Sequence, residues 1–171
     1  MKVAMIIAFR DFRDEEYFII KQVLEAAGAK VITVSANLGK AFGVYGGEAE
    51  VDLMIDNLKV QDFDAIVFIG GAGAYKYLED PKCLQIALET IKENKVLGAI
   101  CIAPTILAKA GVLKGKKATV WSSPMDRSPI KILKEGGANY IDEEVVVDGN
   151  IITANGPVAA KEFGEALCQK L

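Results

Sequence analysis

Short apolar runs alternate with amphipathic stretches along the whole of this chain, and that alternation restricts its fold more than any other property of the sequence. Runs rich in Val and Ile occupy residues 2–8, 30–35, 65–69 and 96–100. Helical periodicity occupies 14–27, 81–94, 102–110, 127–136 and 157–171. Gly28 and Gly111 stop two of these helices, and Asp80 followed by Pro81 starts another. Residues 41–56, with Gly46-Gly47 among them, read as a β-hairpin excursion, and 118–121 as a further short strand. Residues 144–148 and 151–153 flank an Asp148-Gly149 turn signal. Strands without polar alternation are covered on both faces. The pattern therefore predicts an α/β fold with a mostly parallel sheet between layers of helices, and residues 1–171 are expected to form a single domain.

Composition narrows the functions. Hydrophobic residues make up 51% of the chain and charged residues 25%, which suits a globular protein with a sizeable core. The formal net charge is −3, so the basic footprint of a nucleic-acid partner is missing. No apolar run reaches the length of a bilayer span, and the first one is broken by Arg10, too soon for a signal peptide. No membrane partner is expected. Cys83, Cys101 and Cys168 are few and far apart, which fits a reducing compartment and predicts a cytoplasmic protein. The chain contains no histidine, so its means to hold zinc are poor, and neither metal nor cofactor is expected.

In open α/β sheets, ligands sit beyond the carboxyl ends of the strands. Three of those ends carry unusual residues: Phe9-Arg10-Asp11, Gly70-Gly71, and Cys101. If the strands are neighbours, one pocket collects all three. Cys101 falls where the run 96–100 turns into the helix 102–110. Unpaired N–H groups at a helix N-terminus favour an anion, which predicts a lowered thiol pKa and a strong nucleophile. The plainer reading of a free cysteine is a small core hydrophobe. It serves fully for Cys83 and Cys168, which lie within amphipathic helices.

On a helical wheel, Asp14, Lys21, Gln22 and Glu25 share one face of the first helix. Ile20, Val23 and Ala27 mark the opposite face, with Glu16 in their midst. A carboxylate on a core-facing stripe is costly unless paired or protonated, and burial raises its pKa. Glu16 either caps its own helix toward solvent or turns inward, where its protonated form could hydrogen-bond a Cys101 thiolate. Gly70 and Gly71 form a tight turn, and glycines also let backbone N–H groups approach an oxyanion. The run from Gly71 to Lys76 fits a dinucleotide fingerprint poorly. Trp121 is either core or pocket wall, and Ser122 and Ser123 have no histidine to form a triad with.

These residues resemble the ThiJ/PfpI superfamily, which includes archaeal intracellular proteases and the parkinsonism-associated stress protein. The resemblance runs end to end. It is most specific at Ala99-Ile100-Cys101-Ile102-Ala103-Pro104 followed by Ala110-Gly111-Val112-Leu113-Lys114-Gly115. Phe12-Arg13-Asp14-Glu15-Glu16, Ile69-Gly70-Gly71 and Val145-Val146-Val147-Asp148-Gly149-Asn150 carry it elsewhere. It implies a flavodoxin-like three-layer α/β/α sandwich, with Cys101 on a strained nucleophile elbow and Glu16 as the family's glutamate. It also implies oxyanion contacts from the backbone near Gly71 and Ile102, and a homodimer or larger ring. The departures are Ile102, where protease-type members carry a histidine, and Trp121, where relatives of the stress protein often carry one. Without an imidazole, cysteine–histidine proteolysis loses its base.

The leading expectation is a cysteine-centred stress protein. Its Cys101 thiolate either oxidises with peroxide or attacks small dicarbonyls such as methylglyoxal. Glu16 hydrogen-bonds the sulfur and shuttles protons, while the backbone of Gly71 and Ile102 holds developing oxyanion charge. One alternative is a PfpI-like intracellular cysteine peptidase or amidase with Glu16 as base. Another is a non-catalytic dimer that binds a small ligand.

Overall fold

A computed structural model describes residues 1–77 and 80–171 of the chain. In chain order the strands and helices begin with β1 (Lys2–Ile6), β2 (Arg10–Phe12), α1 (Asp14–Ala26), β3 (Lys30–Ser35), β4 (Gly39–Gly43), β5 (Glu48–Val51) and β6 (Leu53–Met54). They continue with β7 (Ala65–Phe68), α2 (Pro81–Lys92), β8 (Val96–Ile100), α3 (Pro104–Lys109), β9 (Lys117–Ala118) and α4 (Ser128–Glu135). The last are β10 (Asn139–Tyr140), β11 (Val145–Asp148), β12 (Ile151–Ala154) and α5 (Ala160–Lys170).

Seven strands form the central sheet in the order β11-β12-β8-β7-β1-β3-β6. Every neighbouring pair is parallel except β11 with β12, which meet across the Asp148-Gly149 turn with Val146 opposite Thr153. All four residues of β7 and all five of β8 are buried, as their unbroken apolar sequences require. Helices α1 and α5 pack on each other, and α5 also packs on β8 and β12. Helices α2, α3 and α4 form the other layer, with α2 on β7 and β8. The result is the three-layer α/β/α sandwich with a flavodoxin-like sheet. Gly98 is small because Phe163 and Leu167 of α5 press on it; a Cβ there would lie 3.0 Å from each.

The topology locates a crevice. From β1 the chain moves to β3 on one side, then returns to β7 on the other. The carboxyl ends of β1 and β7 diverge at this switch point, where open α/β sheets bind ligands. Strand β8, the next one along, ends at Ile100, so Cys101 opens onto the same crevice.

Several elements differ from the sequence expectation. The hairpin excursion is β4 with β5, begins at Gly39, and joins β2 in a separate three-stranded sheet. The strand expected over 118–121 is only Lys117–Ala118, paired with β10; on the side away from β10, Thr119 N–H donates to the Thr153 hydroxyl at 3.0 Å. The helix after Cys101 starts at Pro104 rather than at 102. Asp14, expected on the solvent face of α1, is buried. Its Oδ1 accepts from Gly47 N–H at 2.7 Å and its Oδ2 from Tyr45 N–H at 2.9 Å. The carboxylate at the start of α1 thereby clasps the tip of the hairpin.

Candidate active site

The site begins with a strained turn. Cys101 has φ +64°, a left-handed conformation that a side chain with a Cβ adopts only at a cost of about 1–2 kcal/mol. The strain persists because both ends of the residue are gripped. Its N–H donates to the Ala154 carbonyl at 2.9 Å, and its carbonyl accepts from Trp121 N–H at 2.8 Å. Cys101 thus projects from the end of β8, half-buried rather than sealed in the core. Because α3 begins three residues later, the helix terminus is not the group that faces the sulfur. The N–H groups of Gly71 and Ile102 are, and each donates toward it.

Two glycines make the approach possible. Gly70 lies between the thiol and Glu16. A Cβ there would stand 2.5 Å from the Cβ of Cys101 and 2.8 Å from Glu16 Oε2. Gly71 has φ +111°, and a Cβ on it would meet the backbone N of Arg13 at 2.5 Å. Only glycine fits either position while the other groups stay where they are.

Glu16 turns inward from the first turn of α1 and is 0% exposed. Its Oε2 accepts from Gly70 N–H at 3.0 Å. Its Oε1 is buried and makes no hydrogen bond among the described residues. Burial raises the carboxyl from its ordinary 4.5 to about 7, against the opposing influences of the Cys101 thiol, Gly70 N–H and the Arg13 charge. Burial likewise pushes the Cys101 thiol up to about 12, and the ionised carboxylate beside it works in the same direction. The Gly71 and Ile102 N–H groups oppose this and are outweighed. The sequence expectation of a lowered thiol pKa is therefore corrected: the helix-end field was the expected cause, whereas burial and a neighbouring carboxylate dominate. Carboxyl and thiol titrate as a coupled pair, and between the two transitions they share one proton.

A cleft of about 220 Å³ lies over the sulfur, walled by Arg13, Tyr75, Trp121, Gly71 and Ile102. Cys101, Glu16, Gly71 and Ile102 are thus brought together. Cys83 is fully buried in α2, and Cys168 lies in α5. Three residues given no role in the sequence reading complete the site. Arg13 and Tyr75 are walls, and Asp14 sets the hairpin tip that carries Tyr45. The signal for Asp14 was faint: Gly43 and Gly47, whose Cβ atoms would each lie 2.4 Å from its carboxylate. Among the described residues no group of three or more Cys, Asp or Glu is placed to hold a metal ion, and no helix is long and apolar enough to cross a membrane.

Comparison with known proteins gives a consistent result. A model of the DJ-1/PfpI family matches residues 1–170. The protein MJ0967 of Methanocaldococcus jannaschii is 46% identical over 164 residues, which cover 95% of this chain and 78% of that protein. The deglycase PH1704 of Pyrococcus horikoshii is 33% identical over 157 residues, 92% of this chain and 91% of that protein. The crystal structure of a ThiJ/PfpI domain protein from Brachyspira murdochii superposes with a TM-score of 0.92 at 32% identity, over 98% of this chain and 94% of that one.

Proposed function

The chain belongs to the DJ-1/PfpI family, and from that premise we propose that it is a cysteine-dependent enzyme that detoxifies small dicarbonyls. One observation carries the reading: a wholly buried carboxyl with a free oxygen lies against a strained, cleft-facing thiol. The deglycase name of the Pyrococcus relative supports the substrate class. A cleft of about 220 Å³ suits a small molecule better than a peptide strand.

The chemistry follows from the shared proton. The Cys101 proton passes to the Glu16 carboxylate as the sulfur forms a bond to the carbonyl carbon. The carbonyl π pair moves onto oxygen, which the N–H groups of Gly71 and Ile102 stabilise. Glu16 then returns the proton to that oxygen, leaving a neutral hemithioacetal. A carboxyl held near pH 7 is matched to taking and giving a proton at neutral pH. Oxidation by peroxide would use the same cleft-facing sulfur. A peptidase reading has only Glu16 for a base. The protein is proposed to act in the cytoplasm, as one domain in a homodimer or larger homo-oligomer.

The test is consumption of methylglyoxal by the purified chain. Cys101→Ser is expected to abolish it. Undiminished turnover in that variant would overturn the proposal.

A further inference from the structure

Among the described residues that wall the cleft, Arg13 is the cation. Its backbone N–H donates to the Gly70 carbonyl at 3.0 Å, which ties it to the turn beside the sulfur. Its side chain is held from two directions. Nε donates to Glu15 Oε2 at 2.9 Å and Nη2 to Glu15 Oε1 at 3.3 Å, while the guanidinium lies over the Tyr45 ring, 5.0 Å from its centroid. Tyr45 is itself set by the Asp14 clasp. The Glu15 fork uses two of the five N–H donors of the guanidinium, so with respect to the described residues three remain for a ligand. The charge of Arg13 reaches the Glu16 carboxyl, whose pKa it lowers against the effect of burial.

Before addition, a neutral dicarbonyl does not call for a pre-set cation in the cleft. A carbonyl compound bearing a carboxylate does, because a guanidinium matches a carboxylate in geometry as well as in charge. Addition of the sulfur also builds a second negative charge on the carbonyl oxygen before its proton arrives, and a fixed cation offsets that charge. We infer that this cleft selects aldehydes that carry a carboxylate next to the carbonyl, and that Arg13 is the residue that reads the carboxylate. The inference rests on the proposed addition of Cys101 to carbonyls. Glu15 has a defined part in it: by pairing with Arg13 it orients the fork and tempers its attraction for anions.

The probes are glyoxylate, an aldehyde with an adjacent carboxylate, and methylglyoxal, which is neutral. Each is titrated as a reversible protectant of Cys101 against iodoacetamide, with mass spectrometry separating Cys101 from Cys83 and Cys168. The ratio of the two half-protecting concentrations cancels the compounds' intrinsic reactivities within any comparison of variants. Arg13→Gln is expected to shift that ratio about tenfold against glyoxylate, the size of one lost charge-assisted contact in a partly desolvated cleft. Glu15→Gln is expected to shift it several-fold the other way, and raised ionic strength to weaken glyoxylate selectively. Arg13→Lys, which keeps the charge and loses the fork, should fall between wild type and Arg13→Gln. Should Arg13→Gln fail to fold, Glu15→Gln and Arg13→Lys decide. A ratio identical across the variants overturns the inference and leaves carbonyl addition standing. If neither compound protects Cys101 in the wild type, the inference and the reading beneath it fall together.

Discussion

The two ends of the central sheet carry clefts of similar size and opposite character. The Cys101 cleft at the carboxyl end has a volume of about 220 Å³. A second one, of about 250 Å³, is lined by Asn94, Lys95, Lys116, Asp148 and Asn150. In the second, polar groups are matched to each other. Lys95 Nζ donates to the carbonyls of Val60, Gln61 and Phe63 at 2.5–3.0 Å. Asn150 Nδ2 donates to Asn94, and Asp148 accepts from Lys117 N–H while pairing with Lys116. At the carboxyl end, Glu16 Oε1 is fully buried and has no hydrogen-bond partner among the described residues. A cleft's volume therefore says little about chemistry. What separates the two is an interaction left unmade beneath the sulfur, which costs stability and lets the carboxyl take the proton of Cys101.

Glu16→Gln should sharpen this contrast most. The loss of a proton shuttle is expected to cut dicarbonyl turnover by roughly 10²–10⁴-fold. The same change should stabilise the fold above neutrality. With the folded carboxyl raised to about 7 from 4.5, the folded state binds more protons than the unfolded one between those values. Stability from this group is thus fully present below pH 4.5, falls as pH rises, and is lost above 7. A glutamine does not titrate, so at pH 8 the variant should exceed wild type by up to about 3 kcal/mol, and the two should converge near pH 4.5. Urea unfolding at both pH values measures the difference. Equal stability at pH 8 would mean that burial does not raise the Glu16 carboxyl.

How much of this was legible in the sequence follows the same division. The alternation of apolar runs and helical periods gave the parallel sheet and its layers because burial on both faces leaves a compositional mark. Cys101 and Glu16 stood out because each breaks a local pattern, a thiol at a strand end and a carboxylate on an apolar stripe. Arg13 breaks none. Its place in the cleft depends on Gly71, Glu15 and the hairpin tip, which are brought to it by tertiary structure. Asp14 was misread for a related reason: the wheel placed it by periodicity, whereas its position at the first turn lets it reach the N–H groups of a distant loop. The burial that pushes the thiol upward has no local signature, because desolvation depends on what packs around the sulfur.

Gly70→Ala tests the contact between the two groups without altering either. Its added methyl would lie 2.5 Å from the Cβ of Cys101 and 2.8 Å from Glu16 Oε2. A forced separation of this kind costs about 1–3 kcal/mol, and turnover should fall with it. Retained activity would show that thiol and carboxyl need not touch. Lys95→Met asks the converse question at the other end of the sheet. It removes a charged donor from three carbonyls and is expected to cost about 1–3 kcal/mol while leaving turnover unchanged.

The smallest expected effect concerns backbone strain. Asn94, beyond the end of α2, has φ +54°, close to the +64° of Cys101. Asparagine tolerates this conformation better than most side chains, and it commonly ends helices this way. Asn94→Gly should change stability by no more than about 0.5 kcal/mol, since glycine adopts the torsion freely, the Asn150 bond to the residue-94 carbonyl is kept, and the lost side-chain bond is exposed. Asn94→Ala should cost about 1 kcal/mol, because alanine meets the steric penalty with no side-chain bond to offset it. Thermal unfolding of the two variants reads the difference. An alanine as stable as the glycine would mean that a left-handed torsion is cheap in this chain. The strain assigned to Cys101 would then lose its force as a mark of function, and the buried Glu16 Oε1, without a partner among the described residues, would alone distinguish one cleft from the other.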